Sequence, residues 1–228
     1  MATTEHGRVI EQLVHISAGG VILEGSLAVP EEARGVVLFA HGSGSSRHSP
    51  RNRAIADELH QGHLATLLMD LLTAEEELED NAKANLRFNV EMLGNRLEDA
   101  VDWLGQQEAT KTLAVGLFGA STGAAAALAA AAHRAEVVRA VVSRGGRPDL
   151  AGSVLGEVKA PTLMIVGGQD TPVVGMNQQA MEQMQCPRRL EIILGATHLF
   201  VEPGALQEVA RLARGWFEQH LDLAGPRG

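Results

Sequence analysis

The sequence predicts an α/β fold, with a mostly parallel sheet of about seven or eight strands and helices on both faces. One observation is a set of short, unbroken apolar runs, such as GVVLFA and LATLLMD, which are typical of strands buried on both faces. Another is the alternation of these runs with longer segments whose apolar residues recur at helical spacing. Gly and Pro mark the junctions, so a single domain over residues 1–228 is the simplest interpretation.

The first half of the chain is expected to begin with two antiparallel strands, RVIEQLVHIS and GVILEGSLAVP, joined near Gly19 and Gly20. The strand GVVLFA follows, and then the helix SPRNRAIADELHQG, which opens on a Ser-Pro cap and ends at Gly62. After the strand LATLLMD, the segment LLTAEEELEDNAK is interpreted as an acidic loop. That loop is expected to lead into a long helix from about Ala84 to Gln107.

The second half continues the alternation of strands and helices. TLAVGLF, VVRAVVS, APTLMIVGG and RRLEIILG are predicted strands, and the alanine-rich segment, GMNQQAMEQMQ and PGALQEVARLARGWFEQHL are predicted helices. About twenty residues separate the strand around Val141 from the strand that begins near Thr162. A connection of that length holds a loop and a short helix, so no separate cap domain is expected.

Composition argues against several classes of function. A formal net charge of −9 and an aromatic content of 3% disfavour a nucleic-acid-binding surface. The single cysteine, Cys186, cannot form an internal disulfide or a cysteine metal cluster, and it is interpreted as a bystander. The N-terminus lacks the pattern of a secretory signal, and the longest apolar run, Ala124–Ala132, is too short to span a bilayer. A cytoplasmic protein without membrane insertion is expected.

A serine between two glycines follows the predicted strand TLAVGLF. Gly119-Ala120-Ser121-Thr122-Gly123 matches G-x-S-x-G, in which the chain turns sharply from strand to helix and exposes a nucleophilic serine. The match alone is weak evidence, since a glycine-rich turn with an N-cap serine has the same sequence pattern. Its position at a predicted strand-to-helix junction favours the nucleophile.

An acid and a histidine follow two later strands. Asp170 lies in GGQDTPV and His198 lies in GATHLF, so the chain order is Ser121, Asp170, His198. Alone, Asp170 could simply initiate a turn, and His198 could be structural. Together they have the order expected of a Ser-His-Asp catalytic triad, in which histidine takes the serine proton and the carboxylate orients the histidine.

A glycine-containing loop, His41-Gly42-Ser43-Gly44, follows the strand GVVLFA. In hydrolases of this topology, one oxyanion donor comes from this loop and the other from the residue after the nucleophile. The backbone N–H groups of Ser43 and Thr122 are therefore the predicted oxyanion hole. His41 is expected to brace the loop and is also a candidate contact for substrate. The loop carries neither common phosphate-binding glycine pattern.

These segments together resemble the α/β-hydrolases, close to the dienelactone-hydrolase-like branch of small members without a cap. The resemblance rests on HGSGSS, GASTG, GGQDTPV and GATHLF and runs from about residue 20 to residue 221. Dienelactone hydrolases use a cysteine nucleophile, whereas this sequence has Ser121. The resemblance therefore implies a serine esterase rather than a dienelactone hydrolase.

Several arginines follow predicted strands. Arg47 and Arg144 are candidate contacts for an anionic substrate, and Arg51, Arg53 and Arg147 lie near them in the sequence. The alternative is ion pairing with acids such as those of the EEELED run.

The predicted function is hydrolysis of small, accessible carboxylic esters or lactones through an acyl-enzyme. No metal or organic cofactor is implied, the expected partner is a small-molecule ester, and a homodimer is possible. An acyltransferase, thioesterase or perhydrolase using the same triad is an alternative. A hydrolase-like domain that only binds a ligand is another.

Overall fold

The structure, a computed structural model, describes residues 8–222, so residues 1–7 of the N-terminal stretch discussed above lie outside it. Eight strands form one sheet: β1 (Val9–Ala18), β2 (Val21–Pro30), β3 (Gly35–Ala40), β4 (Leu64–Met69), β5 (Ala114–Ala120), β6 (Val138–Arg144), β7 (Thr162–Gly167) and β8 (Arg188–Ile193). Their order across the sheet is β1-β2-β4-β3-β5-β6-β7-β8. Strands β3 to β8 are parallel, while β2 pairs antiparallel with both β1 and β4.

The α-helices of the described residues are α1 (Pro50–Gln61), α2 (Ala74–Lys83), α3 (Val90–Leu104), α4 (Thr122–His133), α5 (Thr171–Gln183) and α6 (Ala205–Leu221). One 3-10 segment covers Leu86–Phe88, and another covers Pro148–Glu157 and is kinked at Gly152, whose φ is 58°. The second of these fills the connection between β6 and β7, which agrees with the short helix expected there. The predicted α/β fold with a mostly parallel sheet is confirmed.

The sheet separates two apolar cores. Helices α3, α4 and α5 cover one face, and α1 and α6 cover the other. Strands β3, β4, β5 and β7 are buried at every position, which explains why they are unbroken apolar runs in the sequence. Helix α4 consists mainly of alanine because almost its whole surface is enclosed and small side chains let it approach the sheet closely.

The acidic segment after β4 differs from the prediction, because it forms helix α2 rather than a loop. The Thr73 hydroxyl accepts a hydrogen bond from the Glu76 N–H at 3.2 Å, and the Glu76 carboxylate accepts one from the Thr73 N–H at 2.9 Å. This reciprocal capping box stabilises the first turn. The helix ends at Lys83 and is followed by Ala84, whose backbone is left-handed with φ 50°, so the long helix expected from Ala84 begins only at Val90.

Helix α2 is attached to α3 by a buried ion pair. The Arg96 guanidinium is almost fully enclosed, and it donates to both carboxylate oxygens of Glu76 at 2.7 and 2.6 Å and to the Leu71 carbonyl at 2.7 Å. Hydrogen bonding to Arg96 is the main reason why the pKa of Glu76 is lowered. Glu76 therefore caps α2 and also neutralises a buried cation.

Replacing Glu76 by alanine should destabilise the fold by about 3 kcal/mol, because it leaves the Arg96 charge buried without its partner. Chemical denaturation followed by circular dichroism measures this loss. Glu75→Ala is the matched control on the same turn, since Glu75 is exposed and should change stability by only about 0.5 kcal/mol. Equal stability of the two variants would show that the ion pair does not stabilise α2.

Within the described residues, no helix is long and apolar enough to cross a bilayer.

Candidate active site

Ser121 occupies a strained turn between β5 and α4. Its backbone has φ 50° and ψ −121°, a conformation that residues other than glycine rarely adopt. Its N–H donates to the Arg144 carbonyl at 3.1 Å, and its own carbonyl accepts from the N–H groups of Ala124 and Arg147 at 3.1 and 3.0 Å. These bonds hold the strained backbone in place at the carboxyl end of the sheet.

The two glycines of the motif are required by close approach. A Cβ atom built on Gly119 would lie 2.4 Å from the Cα of Ala124, and one built on Gly123 would lie 2.4 Å from the carbonyl oxygens of Ala40 and His41. Both distances are shorter than a carbon atom can tolerate. The G-x-S-x-G pattern therefore reflects the tight passage of α4 past the ends of β3 and β5.

Asp170 and His198 meet at the same edge of the sheet. Asp170 is the N-cap residue of α5, yet its side chain makes no capping hydrogen bond. Its carboxylate instead lies 2.6 Å from Nδ1 of His198, in the loop after β8. The alternative that Asp170 only initiates a turn leaves this contact unexplained. With Nδ1–H donating to Asp170, the other ring nitrogen, Nε2, is left as an acceptor.

The loop after β6 connects Ser121 with His198. Arg144 and Arg147, which bond to the Ser121 backbone, flank Gly145 and Gly146. A Cβ atom built on Gly145 would lie 3.4 Å from Cε1 of the His198 ring. The side chain of Asn177 on α5 braces the loop by donating to the Gly146 carbonyl at 3.0 Å. No sequence motif around this buried asparagine indicates that it contacts the loop.

His41 braces the loop after β3 and is not free to contact substrate through its ring nitrogens. Its Nε2 accepts from the Leu71 N–H at 3.0 Å, and its Nδ1 lies 2.9 Å from the Gly42 carbonyl, to which it donates. Both nitrogens are thus used by backbone groups, which supports the expectation of a brace, while His41 also lines a cavity and its contact with substrate stays a prediction. Burial lowers the pKa of His41, which favours the neutral ring that this bonding requires.

The Ser43 amide is directed toward the residue after Ser121. It donates to the hydroxyl of Thr122 at 2.9 Å, so the predicted oxyanion donor already has an acceptor in this structure. The sequence analysis considered only the Thr122 amide and missed this role of its side chain. The bond shows that the loop after β3 and the first turn of α4 face each other across a hydrogen-bonding distance.

The arginines near the sheet edge differ in their pairing. The Arg47 guanidinium forms ion pairs with Asp70 and with Glu24, which agrees with the alternative of ion pairing, and its contact with an anionic substrate stays a prediction. Arg147 is paired with Asp149 at 2.7 Å. Arg144, by contrast, is buried, and two of its side-chain nitrogens, Nε and Nη1, have no hydrogen-bond partner among the residues described.

A cavity of about 490 Å³ opens beside the loop after β3. Its walls come from that loop, from the start of α1 and from α2 and the residues around it; they include Gly42, Ser43, Arg51, Leu72 and Glu77. The loop that carries the Ser43 amide therefore forms part of the wall. A space of this size accommodates a small molecule.

Cys186 lies apart from these residues. It precedes β8, at the opposite end of that strand from the His198 loop, and it is buried. Burial raises the pKa of its thiol, which disfavours the reactive thiolate.

The sheet order and the serine turn define an α/β-hydrolase fold. The chain belongs to the dienelactone hydrolase family, whose model, described as "Dienelactone hydrolase family", matches residues 23–223.

Two relatives and two solved structures illustrate the similarity. Two proteins from strains of Mycobacterium tuberculosis, each named "Putative phosphoribosyl transferase", are 55% identical over 218 residues, which is 96% of this chain and 48% of theirs. The chain thus spans about half the length of the curated relatives it matches. A crystal structure of a dienelactone hydrolase from Anabaena variabilis is 59% identical, with a TM-score of 0.91 over 93% of this chain and 99% of that one. Est1E from Butyrivibrio proteoclasticus shares the fold alone, at 15% identity and a TM-score of 0.75 over 91% of this chain and 98% of its own.

Gly123→Ala should destabilise the protein by about 1–3 kcal/mol, because the added methyl group would overlap the Ala40 and His41 carbonyl oxygens. Gly175→Ala is the matched control, since a Cβ atom there meets nothing within 4 Å and the residue lies inside helix α5. Thermal unfolding of both variants measures the difference. A Gly123→Ala variant as stable as Gly175→Ala would mean that the turn can relax without cost.

Stability should fall as the pH drops below about 6.5, in part because of His41. The pKa of this histidine is lower in the folded chain than in the unfolded chain, so the unfolded state binds more protons in that range. His60 and His220 have pKa values shifted in the same direction by burial, so His41 contributes only part of the slope. Urea unfolding at a series of pH values should show a shallower slope for His41→Asn than for His48→Asn, which keeps His41. Identical slopes would contradict the assignment.

Proposed function

We propose that this protein is a serine hydrolase that cleaves small carboxylic esters or lactones through an acyl-enzyme. Ser121 attacks the ester carbonyl carbon while Nε2 of His198 takes the hydroxyl proton. The protonated histidine then gives this proton to the oxygen of the departing alcohol. Water attacks the acyl-enzyme by the same route and releases the carboxylic acid. Asp170 orients His198 and stabilises its positive charge.

The observation that carries the proposal is the 2.6 Å contact between Asp170 and Nδ1 of His198. It favours the histidine tautomer whose Nε2 is a base, which is the form that a serine nucleophile requires. The contact also uses an N-cap side chain that would otherwise stabilise helix α5. The positive φ of Ser121 and the hydrogen bonds that maintain it fix the backbone from which the Ser121 side chain projects.

The oxyanion donors proposed are the backbone N–H groups of Thr122 and Ser43. The Thr122 amide is at the first position of helix α4, where a backbone N–H lacks a helical partner. The Ser43 amide bonds the Thr122 hydroxyl, and rotation about the Cα–Cβ bond of Thr122 would free it for the developing oxyanion. A hole of this kind contributes about 3–4 kcal/mol per donor to transition-state stabilisation.

The open surroundings support small and accessible esters. The β6–β7 connection holds only ten residues of kinked 3-10 helix, and the cavity beside the oxyanion loop measures about 490 Å³. A short connection of this kind, with no inserted cap, supports a compact and accessible ester or lactone, while the cavity is lined by the Ser43 loop and not by Ser121, Asp170 or His198.

Other acceptors would use the same proposed triad. An acyltransferase, a thioesterase or a perhydrolase differs only in the nucleophile that removes the acyl group, so product analysis with competing alcohol, thiol or peroxide separates these reactions. Phosphoribosyl transfer is the activity named for the Mycobacterium relatives, but this chain matches only 48% of their length. We therefore do not extend that activity to it.

A fluorophosphonate probe and p-nitrophenyl acetate test the proposal. The wild-type protein should be labelled and should hydrolyse the ester, whereas Ser121→Ala should lose labelling and about 10⁴-fold or more of kcat. Ser153→Ala, at an exposed serine on the β6–β7 connection, is the matched control and should retain both.

Labelling that persists in Ser121→Ala would place the nucleophile elsewhere. A wild-type protein that neither reacts with the probe nor turns over any of a panel of esters, lactones and thioesters would favour the alternative of a non-catalytic binding domain.

A further inference from the structure

Arg144 presents an unpaired charge beneath the proposed active site. Its side chain follows Ala140 and Val142 on the face of β6 that packs against α1 and α6, and only 7% of the residue is exposed. Its Nε and Nη1 atoms are buried without a hydrogen-bond partner, and no carboxylate in residues 8–222 forms an ion pair with it. A buried guanidinium without a partner is costly, so this arrangement calls for an explanation.

Two other enclosed arginines in the described part of the chain are paired with carboxylates, although the Nε atom of each is also buried without a partner. Arg96 is bound by Glu76 and by a backbone carbonyl, and Arg47 is bound by Asp70 and Glu24. The same fold therefore supplies counter-charges where an arginine serves only to hold elements together. Arg144 lacks such a partner at the edge of the sheet where the proposed triad lies.

Arg51 brings a second positive charge to the same place. It lies in the first turn of α1, and its Nε is buried without a partner among the described residues. Burial, and then the charge of Arg51, lower the pKa of Arg144 to about 10, so the Arg144 guanidinium is still charged at neutral pH. Two guanidinium groups that both have buried nitrogens without a partner favour an anion beside them.

Both arginines adjoin groups that would handle the ester. The Arg144 carbonyl accepts the Ser121 N–H, and a Cβ atom built on the next residue, Gly145, would lie 3.4 Å from the His198 ring. Arg51 lines the 490 Å³ cavity together with the loop that carries Ser43. Acidic residues also line this cavity from α2, namely Glu77 and Asp80, of which Asp80 is neutralised by Arg87.

We propose that Arg144 and Arg51 form a subsite for a phosphate dianion carried by the ester substrate. A dianion matches two guanidinium groups in charge, whereas a single carboxylate would leave one positive charge uncompensated. Burial of Arg144 excludes competing water and strengthens the interaction. The inference rests on the proposed esterase function for its reaction, but the anion site itself can be tested without turnover.

Three p-nitrophenyl esters test the preference: the butyrate, the hemisuccinate and the 3-phosphonopropanoate. These substrates share the leaving group and differ in having no charge, one carboxylate or a phosphonate. The wild-type protein should prefer the phosphonate ester in kcat/KM. In Arg144→Gln the ratio of phosphonate to butyrate kcat/KM should fall about 10- to 100-fold, the usual effect of losing hydrogen bonds to a charged group. Arg51→Gln should lower the same ratio, and high salt should lower it in the wild type.

Arg139→Gln is the matched control. It removes the same charge from an exposed position on the same strand, so the ratio should not change.

Binding of inorganic phosphate and of methylphosphonate to Ser121→Ala, measured by calorimetry, tests the site when no reaction occurs. Binding that is lost in Ser121→Ala/Arg144→Gln and kept in Ser121→Ala/Arg139→Gln supports the subsite, even if the wild-type protein hydrolyses none of the esters. Binding of free phosphate with no preference for the phosphonate ester would overturn the assignment to the substrate and indicate a separate ligand.

Stability separates this role from a structural one. Arg144→Gln and Arg144→Met should unfold at or above the wild-type temperature without ligand, since each removes an uncompensated buried charge. Phosphate should raise the unfolding temperature of the wild type but not of these variants. Marked destabilisation of both variants, absence of phosphate binding to the wild type, or a stronger preference for the hemisuccinate would each overturn the proposal.

Discussion

The backbone of Ser121 is held at φ 50° and ψ −121° by bonds from three directions. Strain of this kind costs about 1–3 kcal/mol and persists only where surrounding contacts fix it. Here Arg144 at the end of β6 accepts the Ser121 N–H, and Arg147 and Ala124 donate to its carbonyl. Close contact of Gly123 with the end of β3 completes the arrangement. One peptide position thus ties together three strands, one helix and two loops, and the proposed site depends on it.

Much of this arrangement could be predicted from the sequence because it depends on strand order. Parallel strands buried on both faces are unbroken apolar runs, so β3, β5 and β7 stand out with near-correct bounds. Residues that follow such strands share one edge of the sheet. The expectation that Asp170 would lie near His198 needed only this rule, and the distance between them is 2.6 Å.

The ion-pair partners of side chains that lie far apart in the sequence could not be predicted. Arg47 and Arg144 both follow apolar strands and read alike in the sequence, yet Arg47 meets Glu24 and Asp70 while Arg144 meets no carboxylate in the described chain. That difference depends on which side chains the folded sheet brings together. Helix α2 was missed for another reason, because its run of acids reads as a solvated loop although Thr73 and Glu76 have capping-box spacing.

The steric demands of the serine turn fall on its neighbours, namely Gly119, Gly123 and the ends of β3 and β5. None of them specifies which heteroatom residue 121 carries. In the proposed mechanism, a sulfur in place of the oxygen would enter the same turn and form a thioester rather than an ester intermediate. The backbone therefore permits either oxygen or sulfur at the side chain of residue 121. This is a physical reason why hydroxyl and thiol nucleophiles could occur on one backbone.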